Sequence, residues 1–297
     1  FKSIASPYAL QKKPVDLSII IVNFHHSHML GDCLESINRT IQKTHFETIL
    51  VDNSNKDKGL EAILKLYPKT LLINNLKNVG FARANNQGAK IANGDFLLFI
   101  NPDTTLTEGA VESMLNYIRS DPSIGILGPK VLNPDQTIQY SCRKFPTVWS
   151  GLFNRYSLTT RFFPNNRYSR DYLMLDYDHN TIRSVDWVSG CCMMAPNSTF
   201  KKANGFDENY FLFIEDVDLC QIIKKKGLRV VYFPDAKIFH KISSSNSRLT
   251  SQLIIKRHKG MIYYNQKHTQ TNLVIQSIIN AIIMIRCLVQ ILLNTVK

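Results

Sequence analysis

Short apolar runs recur through the first 130 residues, each closed by Asn, Asp or Gly and followed by helical periodicity. Leu17 to Val22, Thr48 to Val51, Thr70 to Ile73 and Phe96 to Ile100 predict strands, being too short and too continuously apolar for helices. The spacing between them predicts a helix after the Asn23–His28 loop through Thr40, then helices over Ala82–Ala92 and Glu108–Ser120. Asp121-Pro122 stops the last of these before a further strand at Ile124–Gly128. Strands alternating with helices at this spacing predict an α/β fold, Rossmann-like, with a mostly parallel central sheet and flanking helices.

The pattern changes from about residue 143 to 183, where Arg, Tyr, Phe and Asn crowd without clean periodicity. Long loops over a binding face, or a lid, are expected there. Order returns with Val185 to Gly190 and the apolar run Cys191–Ala195. A helix is predicted over Val217–Lys226, capped by Gly227, then a strand at Leu228–Phe233. Near the end, Thr271 to Leu293 is strongly apolar, with Gln276, Asn280, Arg286 and Gln290 in one stripe at helical spacing. That predicts an amphipathic helix suited to a partner or a membrane interface rather than a full span.

Length and composition add bounds. The 297 residues, 44% of them hydrophobic, can bury a large core. A net charge of +13 asks for an anionic partner: nucleic acid, a phosphorylated small molecule or an anionic membrane. No nucleic-acid module is recognisable and the basic residues are scattered, so nucleic acid is not expected. Six cysteines without a CxxC pair read as reduced, buried small side chains of a cytosolic protein, those of Cys191 and Cys192 pointing to opposite faces of a strand. The first residues, with Lys2, Lys12 and Lys13, lack the apolar core of a signal peptide.

Four places carry candidate chemistry. Pro102 ends the strand at Ile100-Asn101 and leaves Asp103 at the carboxyl edge of the sheet, where open α/β folds place ligands and where a carboxylate can hold a divalent cation. Asp52 and Asn23 stand at two further strand tips, positions that turn formers also favour. Asn78-Val79-Gly80-Phe81 opens a helix that can meet an anion, with Arg83, Asn85 and Asn86 as added donors. Glu215-Asp216-Val217-Asp218 puts three carboxylates after an aromatic run, as first-turn acids or as a partly buried general base. His240, beyond the last strand, can complete a metal site begun by Asp103. The first strand-helix junction has no G-x-G-x-x-G, which disfavours a dinucleotide site.

Taken in order, Ile19-Ile20-Ile21-Val22-Asn23, Val51-Asp52-Asn53, Asn78 to Phe81, Asn101-Pro102-Asp103, Trp187 to Gly190, Gly205-Phe206-Asp207-Glu208, Glu215 to Asp218 and His240 resemble the family 2 inverting glycosyltransferases of GT-A fold, in particular the rhamnosyltransferase-like branch. The resemblance covers residues from about 15 to 245. It implies that Asp103 binds Mn²⁺ or Mg²⁺ at the DXD position with His240 as a second ligand. Asn101 replaces the first Asp of that motif and would be an indirect ligand on the nucleotide-sugar side. Asp52 would read the base, with Val22 and Asn23 beside it. Asn78, Gly80, Phe81, Arg83 and Asn86 would complete the donor site. Asp216, with Glu215, would supply the base, and Trp187, Gly190 and Asp218 would face the acceptor.

The expected organisation is an extension over 1–14, a catalytic domain over 15–245 split near 130 into nucleotide-sugar and acceptor halves, and a C-terminal helical segment over 246–297. The expected activity is transfer from a nucleoside-diphosphate sugar, dTDP-rhamnose leading and UDP-sugars next, to a glycan or polyprenyl-linked acceptor. The enzyme would work in the cytoplasm, peripherally at the inner membrane face, the C-terminal helix touching membrane or building a homodimer. A non-catalytic nucleotide-sugar binder on the same fold is the rival reading. A nucleotidyltransferase is a weaker one, because the Gly-rich, basic first loop it needs is missing.

Overall fold

The computed structural model describes residues 14–55, 57, 59–147, 166–241 and 250–295. Its first half runs β1 (Leu17–Asn23), α1 (Ser27–Thr40), β2 (Phe46–Asp52), α2 (Leu60–Leu66), β3 (Leu71–Asn74), α3 (Phe81–Ile91) and β4 (Phe96–Ile100). These four strands form a parallel sheet in the order β3-β2-β1-β4. Both faces are covered, which explains the unbroken apolar runs. Along β1, Leu17, Ile19 and Ile21 pack with α1, while Ile20 and Val22 pack on the opposite face with Ala82 and Ala84 of α3.

The chain continues through β5 (Thr104–Leu106), α4 (Ala110–Ser120), β6 (Ile124–Leu132), β7 (Ile138–Gln139), β8 (Cys142–Arg143), α5 (Arg167–Leu173), β9 (Arg183–Val185) and β10 (Trp187–Val188). Then come β11 (Cys192–Pro196), α6 (Asn197–Lys202), α7 (Glu215–Lys225), β12 (Arg229–His240), α8 (Ser251–His268) and α9 (Leu273–Thr295). β11 lies antiparallel between β4 and β6, and β12 runs parallel to β6 and antiparallel to β5. The whole is a mixed, mostly parallel α/β sheet with a C-terminal apolar helix.

Several sequence readings need correction. β6 and β12 pass through Pro129 and Pro234 instead of stopping near them. The β12 register shifts between Phe233 and Lys237, an irregularity that accommodates the missing N–H, so His240 ends a strand rather than lying beyond one. Helix α7 starts at Glu215, placing the carboxylates inside its first turn. Cys191 precedes β11 and packs in the same core as Cys192 instead of opposite it. All six cysteines are free and buried. Of the segment read as loops or a lid, residues 148–165 lie outside the described ones; α5 and β9 occupy part of the rest. Residues 1–13 of the expected extension over 1–14 and the boundary near 245 also lie outside them.

Helix α8 gave no sequence signal because its inward positions are Ile254, His258, Gly260 and Tyr264, not an apolar stripe. Helix α9 buries Ile279 and Cys287 but leaves most of its apolar residues exposed. Its polar stripe (Gln276, Asn280, Arg286, Gln290) is half-buried, whereas Val274, Ile278, Ile285 and Leu292 are exposed. Arg257 of α8 donates to Gln290 Oε1 at 2.5 Å across this inner face.

Candidate active site

A cleft of about 1090 Å³ opens between the carboxyl ends of β1 and β4, the start of α7 and the two C-terminal helices. It brings together Val22, Asn78, Gly80, Phe81, Asn101, Asp103, Trp187, Gly190, Glu215, Asp216 and His240 from the sequence-predicted set. Asn23, Asp52, Arg83, Asn86 and Asp218 do not line it.

Sheet register builds the first pole. Asn101 leaves β4 donating its N–H to Cys191 O (2.9 Å), and Thr104 N–H closes the turn on Asn101 O (3.2 Å). Pairing of His240 with Thr104 across β12 and β5 then sets the imidazole beside Asp103. His240 Nε2 lies 3.2 Å from Asp103 Oδ1. Gln139 orients the ring: its Nε2 donates to His240 O (2.6 Å) and Asn133 Oδ1 (2.7 Å), leaving Oε1 to accept from His240 Nδ1 at 2.9 Å. With the proton assigned to Nδ1 by this network, the Nε2 lone pair faces a carboxylate oxygen. Asp103 Oδ1 and Asn101 Oδ1 are both buried without a hydrogen-bond partner. The facing Asp103 carboxylate and His240 imidazole, with the unpartnered Asn101 amide oxygen in the lining of the same cleft, fit a divalent cation that accepts oxygen and imidazole ligands. Among the described residues no three His, Cys, Asp or Glu side chains cluster, so such an ion would complete its shell with ligand oxygens.

The second pole is Asp216. Its Oδ2 accepts from the Gly190 N–H and its Oδ1 from the Val217 N–H, each at 2.9 Å. Phe213 and Ile214 just before it are left-handed (φ 69° and 75°), a costly conformation for a β-branched residue that swings the start of α7 into the cleft. Burial pushes the Asp216 carboxyl above its ordinary range, opposed by its two N–H donors and the charge of Arg143. Glu215 is raised further, by burial and then by the charge of Asp216, and its buried Oε2 has no hydrogen-bond partner.

Gly80 shapes the wall between these poles. At φ 92° and ψ 166° it holds a conformation open to little but glycine, and a Cβ there would sit 2.6 Å from Phe211 O. The close approach lets the Phe81 N–H donate to that same carbonyl at 2.7 Å. Gly80→Ala is expected to destabilise the fold by about 1–3 kcal/mol from backbone strain alone. A lower urea midpoint at unchanged slope would show it; an unchanged midpoint would contradict it.

The five residues outside the cleft meet other groups of the protein in this structure. Asn23 is fully buried and donates to Asp52 Oδ1 (2.8 Å), tying the tips of β1 and β2. The Asp52 carboxylate also accepts from Ser54 N–H (3.2 Å) and is buried, so Val22 and Asn53, not Asp52, front the cleft at this end. Asn86 brackets the Phe206 backbone, accepting from its N–H (3.0 Å) and donating to its carbonyl (2.8 Å). Arg83 is mostly exposed, 3.7 Å from Glu208. Asp218, assigned to the acceptor, instead anchors α8: it accepts from Tyr210 Oη (3.0 Å) and Lys267 Nζ (2.9 Å) and lies 2.6 Å from His268 Nε2. Asp218→Asn leaves this buried network short of a charge and is expected to cost about 3–5 kcal/mol. Thermal unfolding at neutral pH measures that, and a melting point equal to wild type would refute the anchor.

Sequence reasoning missed cleft residues that short or late elements supply. Arg143, on two-residue β8 opposite Trp187 of β10, lies 5.1 Å over the Trp187 ring; strands this short carry no periodicity. Arg257 and Arg286 enter from α8 and α9.

A sequence profile described as "Glycosyl transferase family 2" matches residues 18–188. The chain is 27% identical over 265 residues to an N-acetylglucosaminyl-diphospho-decaprenol L-rhamnosyltransferase of Mycobacterium tuberculosis (strain ATCC 25618 / H37Rv), covering 85% of each chain. It is 29% identical over 248 residues to Rhamnosyltransferase WbbL of Escherichia coli (strain K12), covering 79% of this chain and 86% of that one. The crystal structure of GalNAc-T7 with UDP, GalNAc and Mn²⁺ superposes with a TM-score of 0.62 at 16% identity over 86% of this chain. The chain spans about half of that protein (48%), and the likeness shows the GT-A fold.

Proposed function

The chain belongs to glycosyl transferase family 2, and from that premise we propose that it transfers a sugar from a nucleoside-diphosphate sugar to an acceptor hydroxyl with inversion at the anomeric carbon. One observation carries the reading: the cation-ready group of Asp103, Asn101 and His240 and the half-buried Asp216 carboxylate open into one cleft from distant parts of the sequence.

Asp103, Asn101 and His240 would hold Mn²⁺ or Mg²⁺, which supplies Lewis-acid neutralisation of charge on the departing diphosphate. Asp216 Oδ accepts the proton of the acceptor hydroxyl as that oxygen bonds to the anomeric carbon. The bond from that carbon to the phosphate oxygen breaks in the same step, and the nucleoside diphosphate leaves with the electron pair. The N–H groups of Gly190 and Val217 hold the carboxylate in place, and Phe81 and Trp187 line the wall.

The sugar and the lipid-linked acceptor are taken from the relatives' names, and the donor's nucleotide and the cellular location are proposed with them. Rhamnose is the proposed sugar, dTDP-rhamnose the leading donor and a UDP-sugar the second. The proposed acceptor is a glycan or lipid-linked glycan in surface polysaccharide synthesis, met in the cytoplasm at the inner face of the membrane. Helix α9 is long and apolar enough to cross a bilayer by length and composition, and its exposed apolar face also suits peripheral contact. Thermal-shift measurements with dTDP-, UDP- and GDP-sugars, with and without Mn²⁺, test the donor reading. Metal-dependent stabilisation by one nucleotide series is expected; none from any series would contradict the proposal.

A further inference from the structure

One hairpin reaches the metal pole. β7 folds back on β6, pairing Gln139 with Val131, and the turn between them is Asn133-Pro134-Asp135-Gln136-Thr137. Asn133 N–H donates to Thr137 O (2.8 Å) and Gln136 N–H to Asn133 O (2.9 Å), so the turn is closed by its own backbone. Its side chains form a series of hydrogen bonds that ends on the imidazole. Thr137 Oγ1 donates to Asp135 Oδ1 (2.6 Å) and accepts from Asn133 Nδ2 (2.8 Å). Asn133 Oδ1 accepts from Gln139 Nε2 (2.7 Å), and Gln139 Oε1 accepts from His240 Nδ1 (2.9 Å).

The direction of every link follows from its far end. Asp135 is exposed, and the hydroxyl and N–H of Thr137 hold its carboxyl below the ordinary range, so it can only accept. The Thr137 hydroxyl hydrogen is then committed, and its oxygen takes Nδ2 of Asn133 rather than Oδ1. That leaves Asn133 Oδ1 for the Gln139 amide. The His240 carbonyl, 2.6 Å from Gln139 Nε2, demands the same orientation independently. Reversing the Gln139 amide would set its oxygen against two oxygens at once. His240 therefore carries hydrogen on Nδ1. The backbone fixes where the ring stands, because His240 pairs with Thr104 and the Lys241 N–H donates to Asp103 O at 2.9 Å. With the ring neutral, Nε2 meets Asp103 Oδ1 at 3.2 Å with its lone pair.

Such a nitrogen discriminates between cations. Mg²⁺ holds to oxygen ligands and keeps its water, whereas Mn²⁺ and the later first-row ions take imidazole. An outer partner that fixes the tautomer of a ligating histidine carries a large part of the metal's affinity. Resting on the transferase reading, we propose that Gln139 is a positioning residue that makes the site select Mn²⁺ over Mg²⁺, by holding the Nε2 lone pair of His240 toward Asp103. Gln139 acts through His240, since its amide oxygen and both amide hydrogens are engaged within the protein.

Calorimetric titration of Mn²⁺ and of Mg²⁺ into the full chain, with UDP and with dTDP, tests this once each nucleotide's own metal binding is subtracted. Wild type is expected to bind Mn²⁺ at least about tenfold more tightly than Mg²⁺. Gln139→Met keeps the length of the side chain but offers no oxygen to the Nδ1 hydrogen. Mn²⁺ affinity is expected to fall by about tenfold or more in that variant, and Mg²⁺ affinity by less than about threefold. His240→Asn is expected to do the same. Adding Gln139→Met to it should change Mn²⁺ affinity by no more than about twofold, because the two residues act as one unit. Equal weakening of both cations by Gln139→Met, or a full further loss without His240, would show a merely structural role and overturn the proposal. Equal affinity of wild type for the two cations would overturn it as well. Should Gln139→Met fail to fold, long-range proton–nitrogen NMR of the metal-free wild type reads the neutral imidazole directly. Hydrogen on Nδ1 is expected there, and hydrogen on Nε2 would overturn the proposal. Binding of neither cation by wild type would strike the metal pole of the transferase reading, and this proposal with it.

Discussion

Asp216→Asn lowers turnover by about 10²–10⁴-fold while donor-nucleotide binding is retained. The amide keeps the shape of the carboxylate but cannot take the acceptor's proton. A non-catalytic sugar-nucleotide binder would show no such loss, so the variant also separates the two function classes. The pH dependence follows from the environment: burial raises the carboxyl, with the Gly190 and Val217 N–H groups and Arg143 opposing. Activity is therefore expected to rise with pH through an apparent pKa above the ordinary aspartate range, which the Glu215–Asp216 pair shares as a unit. Stability runs the other way. A carboxyl raised in the folded state holds its proton where the unfolded chain has lost it, so its contribution is full below the unfolded value and fades as pH rises through the folded one. Urea midpoints measured from pH 4 upward should fall less steeply in Asp216→Asn than in wild type. An identical pH profile in both would refute burial as the cause.

Asp103→Asn is the second large effect: kcat/KM is expected to drop by about 10²–10³-fold, and stabilisation by Mn²⁺ plus nucleotide sugar to disappear. Asn101 already presents an uncharged oxygen here, so the substitution would leave the pole without any carboxylate. Calorimetric titration of Mn²⁺ in the presence of UDP or dTDP reads this directly. Unchanged metal affinity would show that Asp103 is not a ligand.

The parallel half of the sheet was legible in the sequence because its strands are buried on both faces and bounded by Asn, Asp and Gly. Asp103 was legible for the same reason: Pro102 marks where β4 must end. The partner that gives Asp103 its meaning was harder to place, since β12 runs through Pro234 and only its register against β5 sets His240 beside it. Asp52, Asn23 and Asp218 show the opposite case. Polar residues at strand tips and in a helix's first turn look the same in sequence whether they face a ligand or tie the scaffold. Only burial and hydrogen-bond partners separate Asp216, open to the cleft, from Asp218 two residues on, which grips α8. The inner face of α8 escaped notice because its buried positions, Ile254, His258, Gly260 and Tyr264, form no apolar stripe.

The central claim is a single displacement from a nucleotide sugar, and water can stand in for the unknown acceptor. Proton NMR of the sugar first released from dTDP-rhamnose with Mn²⁺, read before mutarotation, identifies its anomer. The expected product has the configuration opposite to the donor's, formed by wild type and not by Asp216→Asn. First release of the donor's own anomer would contradict the account.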